Sequence, residues 1–240
     1  MSFSEIIPPY QVIADEYYDK DRHQTCANFG ELSCLFLYER LRKLAITAKN
    51  ALEVGAGRSI LAQVLEDTHL PLSRVTILDQ SSGMLKHSKR WIEAGAVPII
   101  ADARHTGLRD STFDLIVSSL GDPYDSPNFW LEMRRIIDDN GVFLFTTPSF
   151  EWSSRFRAAS ERDKAEFSLR GGRSILAPSF TRPIAEELTL IIASGFEIVE
   201  EFMPTKDAII GPHSSKLNVI RKAPQGPVLY CFVLRTRGKQ

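Results

Sequence analysis

A chain of 240 residues with 43% hydrophobic and 25% charged residues has ordinary globular composition and the length of one α/β domain or two small ones. A formal net charge of -1 excludes the basic footprint of a general nucleic-acid binder, and no apolar run reaches the length that spans a bilayer. Three cysteines (Cys26, Cys34, Cys231) without a CxxC, scattered histidines and a start (MSFSEIIPPY) without signal-peptide regions predict a reduced, cytoplasmic chain with no metal site.

The first thirty residues are polar and aromatic and read as a partly ordered arm. From Glu31 to about Ala48 the positions Leu37, Leu41, Leu44, Ala45 and Ala48 recur at helical spacing, which predicts an amphipathic helix. Short apolar strands then alternate with helices. Strands are expected at 50–54, 75–79, 97–101, 113–120 and 142–147, and helices at 59–67, 81–94 and 128–138, with Asp139-Asn140-Gly141 as a turn. Such alternation implies right-handed βαβ units and a parallel sheet covered on both faces. A helix over 183–194 stops at Gly195. Strands at 196–204 and 227–235 follow with no helical pattern between them, so they are expected to pair antiparallel.

The turn after the first strand carries the chemistry. ALEVGAGRSIL places Gly55 and Gly57 between a strand and a helix, where glycines let a ligand approach the backbone. Asp79 closes the next strand, where nucleotide-binding βαβ units hold ribose hydroxyls. A dinucleotide site would need a third glycine where Ile60 stands. It would also set the carboxylate of Glu53 against a pyrophosphate. A cationic ligand, or the amides of the turn, suits Glu53 better.

EVGAGRS, VTILDQSSGML, ADARHTGLRDSTFDLIVSSL and RRIIDDNGVFLFTTP, in that order, resemble the motif series of class I S-adenosylmethionine-dependent methyltransferases, of the type 11-like small-molecule kind. The resemblance covers about residues 50–150 and the AxGF pattern at Gly195-Phe196. It implies a doubly wound seven-stranded sheet of order 3-2-1-4-5-7-6 under a helical cover, with S-adenosyl-L-methionine as cofactor. Gly55, Ala56 and Gly57 would pass under the methionine moiety, with Glu53 supporting the turn and facing the cationic end. Asp79 would accept from the ribose hydroxyls, and Asp102 with Ala103 would meet the adenine. Met84 either lies against the adenine face or packs in the core. Gln80 and Ser119 complete the cofactor-binding set, and Tyr17 or Tyr18 could close over it from the arm.

Methyl transfer needs a positioned acceptor and, for some acceptors, a base. After the fourth strand, Gly121-Asp122-Pro123-Tyr124 is similar to the D-P-P-Y motif of nucleobase amino-methyltransferases with one proline missing. Asp122 and Tyr124 are therefore the catalytic candidates, and a plain Asp-Pro turn capped by Ser126 or Asp125 is the alternative. His105 is either a base or an exposed loop residue. Residues 149–182 form an insertion with seven basic and four acidic residues. Trp152, Phe156, Ala159 and Phe167 are expected on one helical face, with Gly171-Gly172 as the stop. Arg155, Arg170 and Arg173 are expected to hold an anionic group, unless that face is merely solvated.

One domain over 1–240 is expected: an arm and helix at 1–48, a cofactor-binding core at 49–148, a substrate-covering insertion at 149–182, and a helix with an antiparallel strand pair at 183–240. The expected function is methyl transfer to a small polar molecule, an anionic one where the basic insertion holds it. The alternatives are a nucleobase amino-methyltransferase and a non-catalytic S-adenosylmethionine-binding protein.

Overall fold

The computed structural model describes residues 7–237 apart from 67, 69, 159 and 219–225. The arm carries α1 (Pro9–Ile13), and α2 runs over Gln24–Leu44, starting earlier than its apolar spacing suggested. The first half of the sheet is β1 (Ala51–Val54), α3 (Ile60–Leu65), β2 (Val75–Asp79), α4 (Ser82–Leu85), α5 (Lys89–Glu93) and β3 (Val97–Ile100). A 3-10 turn at Lys86–Ser88 splits the helix expected at 81–94. Then come β4 (Phe113–Ser118), α6 (Pro127–Ile136), β5 (Ile137–Pro148) and α7 (Phe150–Ser153), followed by β6 (Lys164–Ser168) and β7 (Ser174–Pro178). The chain closes with α8 (Ile184–Ala193), β8 (Phe196–Phe202), α9 (Ser215–Asn218) and β9 (Leu229–Thr236).

The main sheet has the order β3-β2-β1-β4-β5-β9-β8. This is the expected 3-2-1-4-5-7-6 once the inserted pair β6-β7 is counted. β1 to β5 pair parallel, and β9 pairs antiparallel with both β5 and β8. Alternation along each strand builds two cores. Ala51, Ile77, Leu115 and Leu144 face α2 and α3 with Leu37, Leu41 and Leu61. Leu52, Ile116, Phe143 and Phe232 face α6 and α8 with Trp130, Met133 and Ile191. The expected turn at residues 139–141 falls in an irregular stretch of β5, where pairing steps from Phe113 with Ile137 to Leu115 with Val142.

The insertion departs from expectation. Its helix stops early, in α7 and a 3-10 turn at Ser154–Phe156, and β6 and β7 form an antiparallel hairpin. Gly171 and Gly172, with φ of 82° and 80°, make the hairpin bend rather than a helix stop. Ala165 and Phe167 point one way with Ile175 and Ala177, a period of two that packs on Ile13 and the arm tyrosines. Ala159, assigned to the helical stripe, lies outside the described residues. No helix among the described residues is long and apolar enough to cross a membrane.

Candidate active site

Parallel strands end on one edge, and the loops there enclose a cavity of about 1170 Å³. The turn after β1 is its floor. The amide of Ala56 donates to Leu78 O at 2.9 Å, tying the turn to β2. Gly55 and Gly57 have φ of 67° and 43°, a region that strains any residue with a Cβ. A Cβ on Gly55 would collide with the hydroxyl of Tyr124, and one on Gly57 with that of Tyr18.

Glu53 is 2% exposed, and its partners explain how a carboxylate survives inside the first strand. It accepts from Ser59 Oγ and from the amides of Ile60 and Leu61 at 3.1 and 3.0 Å, so it caps the N-terminus of α3. Burial pushes its carboxyl up to about 7. Glu53 thus fastens the start of α3 beneath the turn, and it also lines the cavity.

Asp79 links the two loops that flank the cavity. Its Oδ2 accepts from the amide of Gly57 at 3.0 Å and its Oδ1 from that of Ser81 at 2.9 Å. Burial raises its carboxyl above the usual range. Gln80 lines the cavity beside it. Met84 is 5% exposed and also lines the cavity. Beyond β3, Asp102 and Ala103 line the wall, and Asp102 accepts from Arg104 Nε at 2.9 Å and Nη2 at 2.7 Å. That ion pair holds the Asp102 carboxyl below its usual range. Ser119 reaches the cavity from the end of β4 and bonds Ser33 of α2 at 2.7 Å.

The arm closes one side. Gln11 Oε1 accepts from Ser81 Oγ at 2.8 Å and from the amide of Gly83 at 2.9 Å. Tyr18 accepts from the amide of Arg58 at 2.7 Å. Tyr10 and Tyr17 also line the cavity. Gln11 and Tyr10 were missed by sequence reasoning; the only signal was an aromatic segment behind Pro8-Pro9, which pre-sets a helix start.

The two acceptor candidates part company: Tyr124 lines the cavity and Asp122 does not. The phenol of Tyr124 donates to Val54 O at 2.8 Å and shares a hydrogen bond with Ser118 Oγ at 2.8 Å, so it staples the ends of β1 and β4. Asp122 does not line the cavity. Its carboxylate accepts from Ser179 Oγ, its carbonyl accepts from the amide of Phe180 at 2.7 Å, and burial pushes its carboxyl up to about 7. The helix start is capped by Ser126, which accepts from Phe129. His105 is exposed and off the cavity.

None of Arg155, Arg170 and Arg173 lines the cavity. Arg155 donates to Glu151 O at 3.1 Å, Arg170 pairs with Glu16 and Asp19 of the arm, and Arg173 is exposed beside the hairpin bend. Arg155 precedes the hairpin, in the 3-10 turn, and Arg170 and Arg173 lie at its bend. No group of three or more His, Cys, Asp or Glu among the described residues is placed to hold a metal ion.

Residues 52–145 match the family described as Methyltransferase domain. The chain is thus similar to methyltransferase domains from β1 into β5. It is 33% identical over 163 residues to a malonyl-[acyl-carrier protein] O-methyltransferase of Geobacter sulfurreducens, covering 63% of this chain and 57% of that one. It is 31% identical over 108 residues to the mitochondrial arginine-hydroxylase NDUFAF5 of Danio rerio, covering 44% of this chain and 33% of the relative. The match thus spans little more than half of one curated relative and a third of the other. Among solved structures, an S-adenosylmethionine-dependent methyltransferase of Clostridium acetobutylicum aligns with a TM-score of 0.64, 13% identity and coverage of 95% and 99%. The DhpI-SAH complex aligns with a TM-score of 0.61, 18% identity and coverage of 96% and 94%. These last two likenesses establish the fold.

Proposed function

We propose that this chain transfers the methyl group of S-adenosylmethionine to a small polar molecule. The observation that carries the reading is one cavity in which Gly55 and Ala56 of the glycine turn, Asp79 and the Asp102–Ala103 wall face the same space. These residues fit the cofactor: Asp79 and Gln80 would hold the ribose, Asp102 and Ala103 the adenine, and the glycine turn the methionine part. The cofactor brings an electrophilic methyl group on a sulfonium. The protein's work is then to orient an acceptor in line with it and to exclude water. Tyr124 fixes the β1 turn, and Asp122 positions the insertion through Ser179 and Phe180.

A nucleobase acceptor is the weaker reading, because the Tyr124 phenol is committed to Val54 and Ser118 and Asp122 is turned away from the cavity. An anionic acceptor loses its support with these arginines off the cavity. The relatives' names cover both methyl transfer and arginine hydroxylation, so a reaction assay is essential. Calorimetry with S-adenosylmethionine, S-adenosylhomocysteine and NAD tests the binding half. Transfer of labelled methyl to fractions of a metabolite extract tests the other half and separates an enzyme from a non-catalytic binder. Binding of NAD with no binding of the other two would overturn the proposal.

A further inference from the structure

The cavity is larger than one ligand needs, since single small-molecule pockets run roughly 300–1,000 Å³, and sheet order divides it. The adenosine-side residues follow β2 and β3, on one side of β1. Tyr124, Pro178 and Phe180 line it from the other side, after β4 and from the insertion. Tyr10 and Tyr17 of the arm reach over this second chamber. Their rings lie edge-on with centroids 6.0 Å apart, and both rest on Phe167 of the hairpin at 6.1 Å. Neither hydroxyl has a hydrogen-bond partner among the described residues. Burial raises both phenols well above their ordinary value, so both stay protonated and able to donate.

No basic side chain of the insertion reaches this chamber. Arg157 donates to Ser179 and to Arg162 O, Arg170 is paired with the arm, and Arg182 is held by Asp125 and Glu187. Of the cations on the cavity, Arg58, Arg90 and Arg104 come from the segments around the cofactor turn, and Lys20 is exposed on the arm with Asp21 beside it. An anion placed against the tyrosines would lose its hydration without a charged partner. A flat apolar body would instead be matched by aromatic faces.

Resting on the methyltransferase reading, we propose that the acceptor is an uncharged molecule with a flat apolar body, lying against Tyr10 and Tyr17 on the cavity side and hydrogen-bonded by their hydroxyls. These two tyrosines determine specificity. The test uses the full chain saturated with S-adenosylhomocysteine and three probes of one shape: methyl 4-hydroxybenzoate, 4-hydroxybenzoate and tyramine, which are neutral, anionic and cationic. Ligand-observed NMR titration should show the neutral ester binding at least tenfold more tightly than either charged probe. Replacing Tyr10→Phe and Tyr17→Phe together should weaken it at least fivefold, whereas Arg155→Ala with Arg173→Ala should leave it unchanged. Equal or tighter binding of a charged probe, binding of none of the three, or indifference to the double tyrosine change overturns the proposal. Failure of S-adenosylhomocysteine itself to bind would sink the methyltransferase reading instead, so the two failures are distinguishable.

Discussion

The backbone amide of Arg58 donates to the hydroxyl of Tyr18 at 2.7 Å, pinning the N-terminal arm onto the glycine turn. The Arg58 guanidinium also covers the Tyr18 ring, 4.4 Å from its centroid. Arm order and cofactor-site order are thereby coupled. Tyr18→Phe keeps the ring and removes the hydrogen bond, a loss of about 0.5–1.5 kcal/mol. The dissociation constant for S-adenosylmethionine should rise by up to roughly tenfold. Calorimetry checks this, and an unchanged constant would show that the arm contributes nothing to the cofactor site.

Asp79→Ala should weaken S-adenosylmethionine binding more severely, by at least about tenfold, since a charge-assisted hydrogen bond contributes about 1.5–3 kcal/mol. The carboxylate also orders the amides of Gly57 and Ser81, so some of the loss will come through the loops. A thermal melt of the variant separates the two contributions. Full binding by a folded Asp79→Ala protein would remove Asp79 from the ribose site.

Asp122 makes stability depend on pH in a definite direction. Its carboxyl is raised from 3.8 to about 7 by burial, against the hydroxyl of Ser179 and the nearby Arg157, with Asp125 adding to the rise. Between those values the folded chain keeps a proton that the unfolded chain has released. Stability is then greatest below the unfolded value and is lost as pH rises through about 7. Glu53, also raised to about 7, acts in the same sense. Asp122→Asn is neutral throughout, so its melting temperature should gain on wild type between pH 5 and pH 8. The gain is ~2–4 °C for each kcal/mol recovered. A constant difference across that range would contradict a buried, proton-holding Asp122.

Phe167 joins the hairpin to the arm, being 7% exposed and in ring contact with Tyr10, Tyr17 and His23. Phe→Ala in a core loses about 3–5 kcal/mol, more than an isolated two-stranded hairpin holds. The hairpin should therefore undock while the main sheet survives. Limited proteolysis should cut Phe167→Ala within 157–182 much faster than wild type, with little change in the main melting transition. A large loss of global stability with no new cleavage would mean that the hairpin folds as one unit with the sheet.

Much of the sheet was legible before any coordinates. β1, β2 and β4 are buried on both faces, so they are written as short apolar runs, and helices must fall between parallel strands. The glycine turn and Asp79 were legible for a related reason: the backbone conformation at Gly55 and Gly57 is a property of those residues, not of distant neighbours. The hairpin was harder to read. KAEFS and SILAP alternate over only five residues each, and the glycines between them suit a helix stop as well as a hairpin bend.

The amino-acid sequence by itself determined the strand pattern and the glycine turn after β1, because each depends on local periodicity or on a residue's own backbone freedom. Only the tertiary structure decided what the charged and aromatic side chains do. Arg170 could have met an acceptor, but its guanidinium meets Glu16 and Asp19, while Asp122 meets Ser179 rather than the cavity. Tyr10 became cavity wall because α1 packs between α4 and β7. A side chain's partner is set by which distant segment folds against it, and composition and spacing carry no record of that.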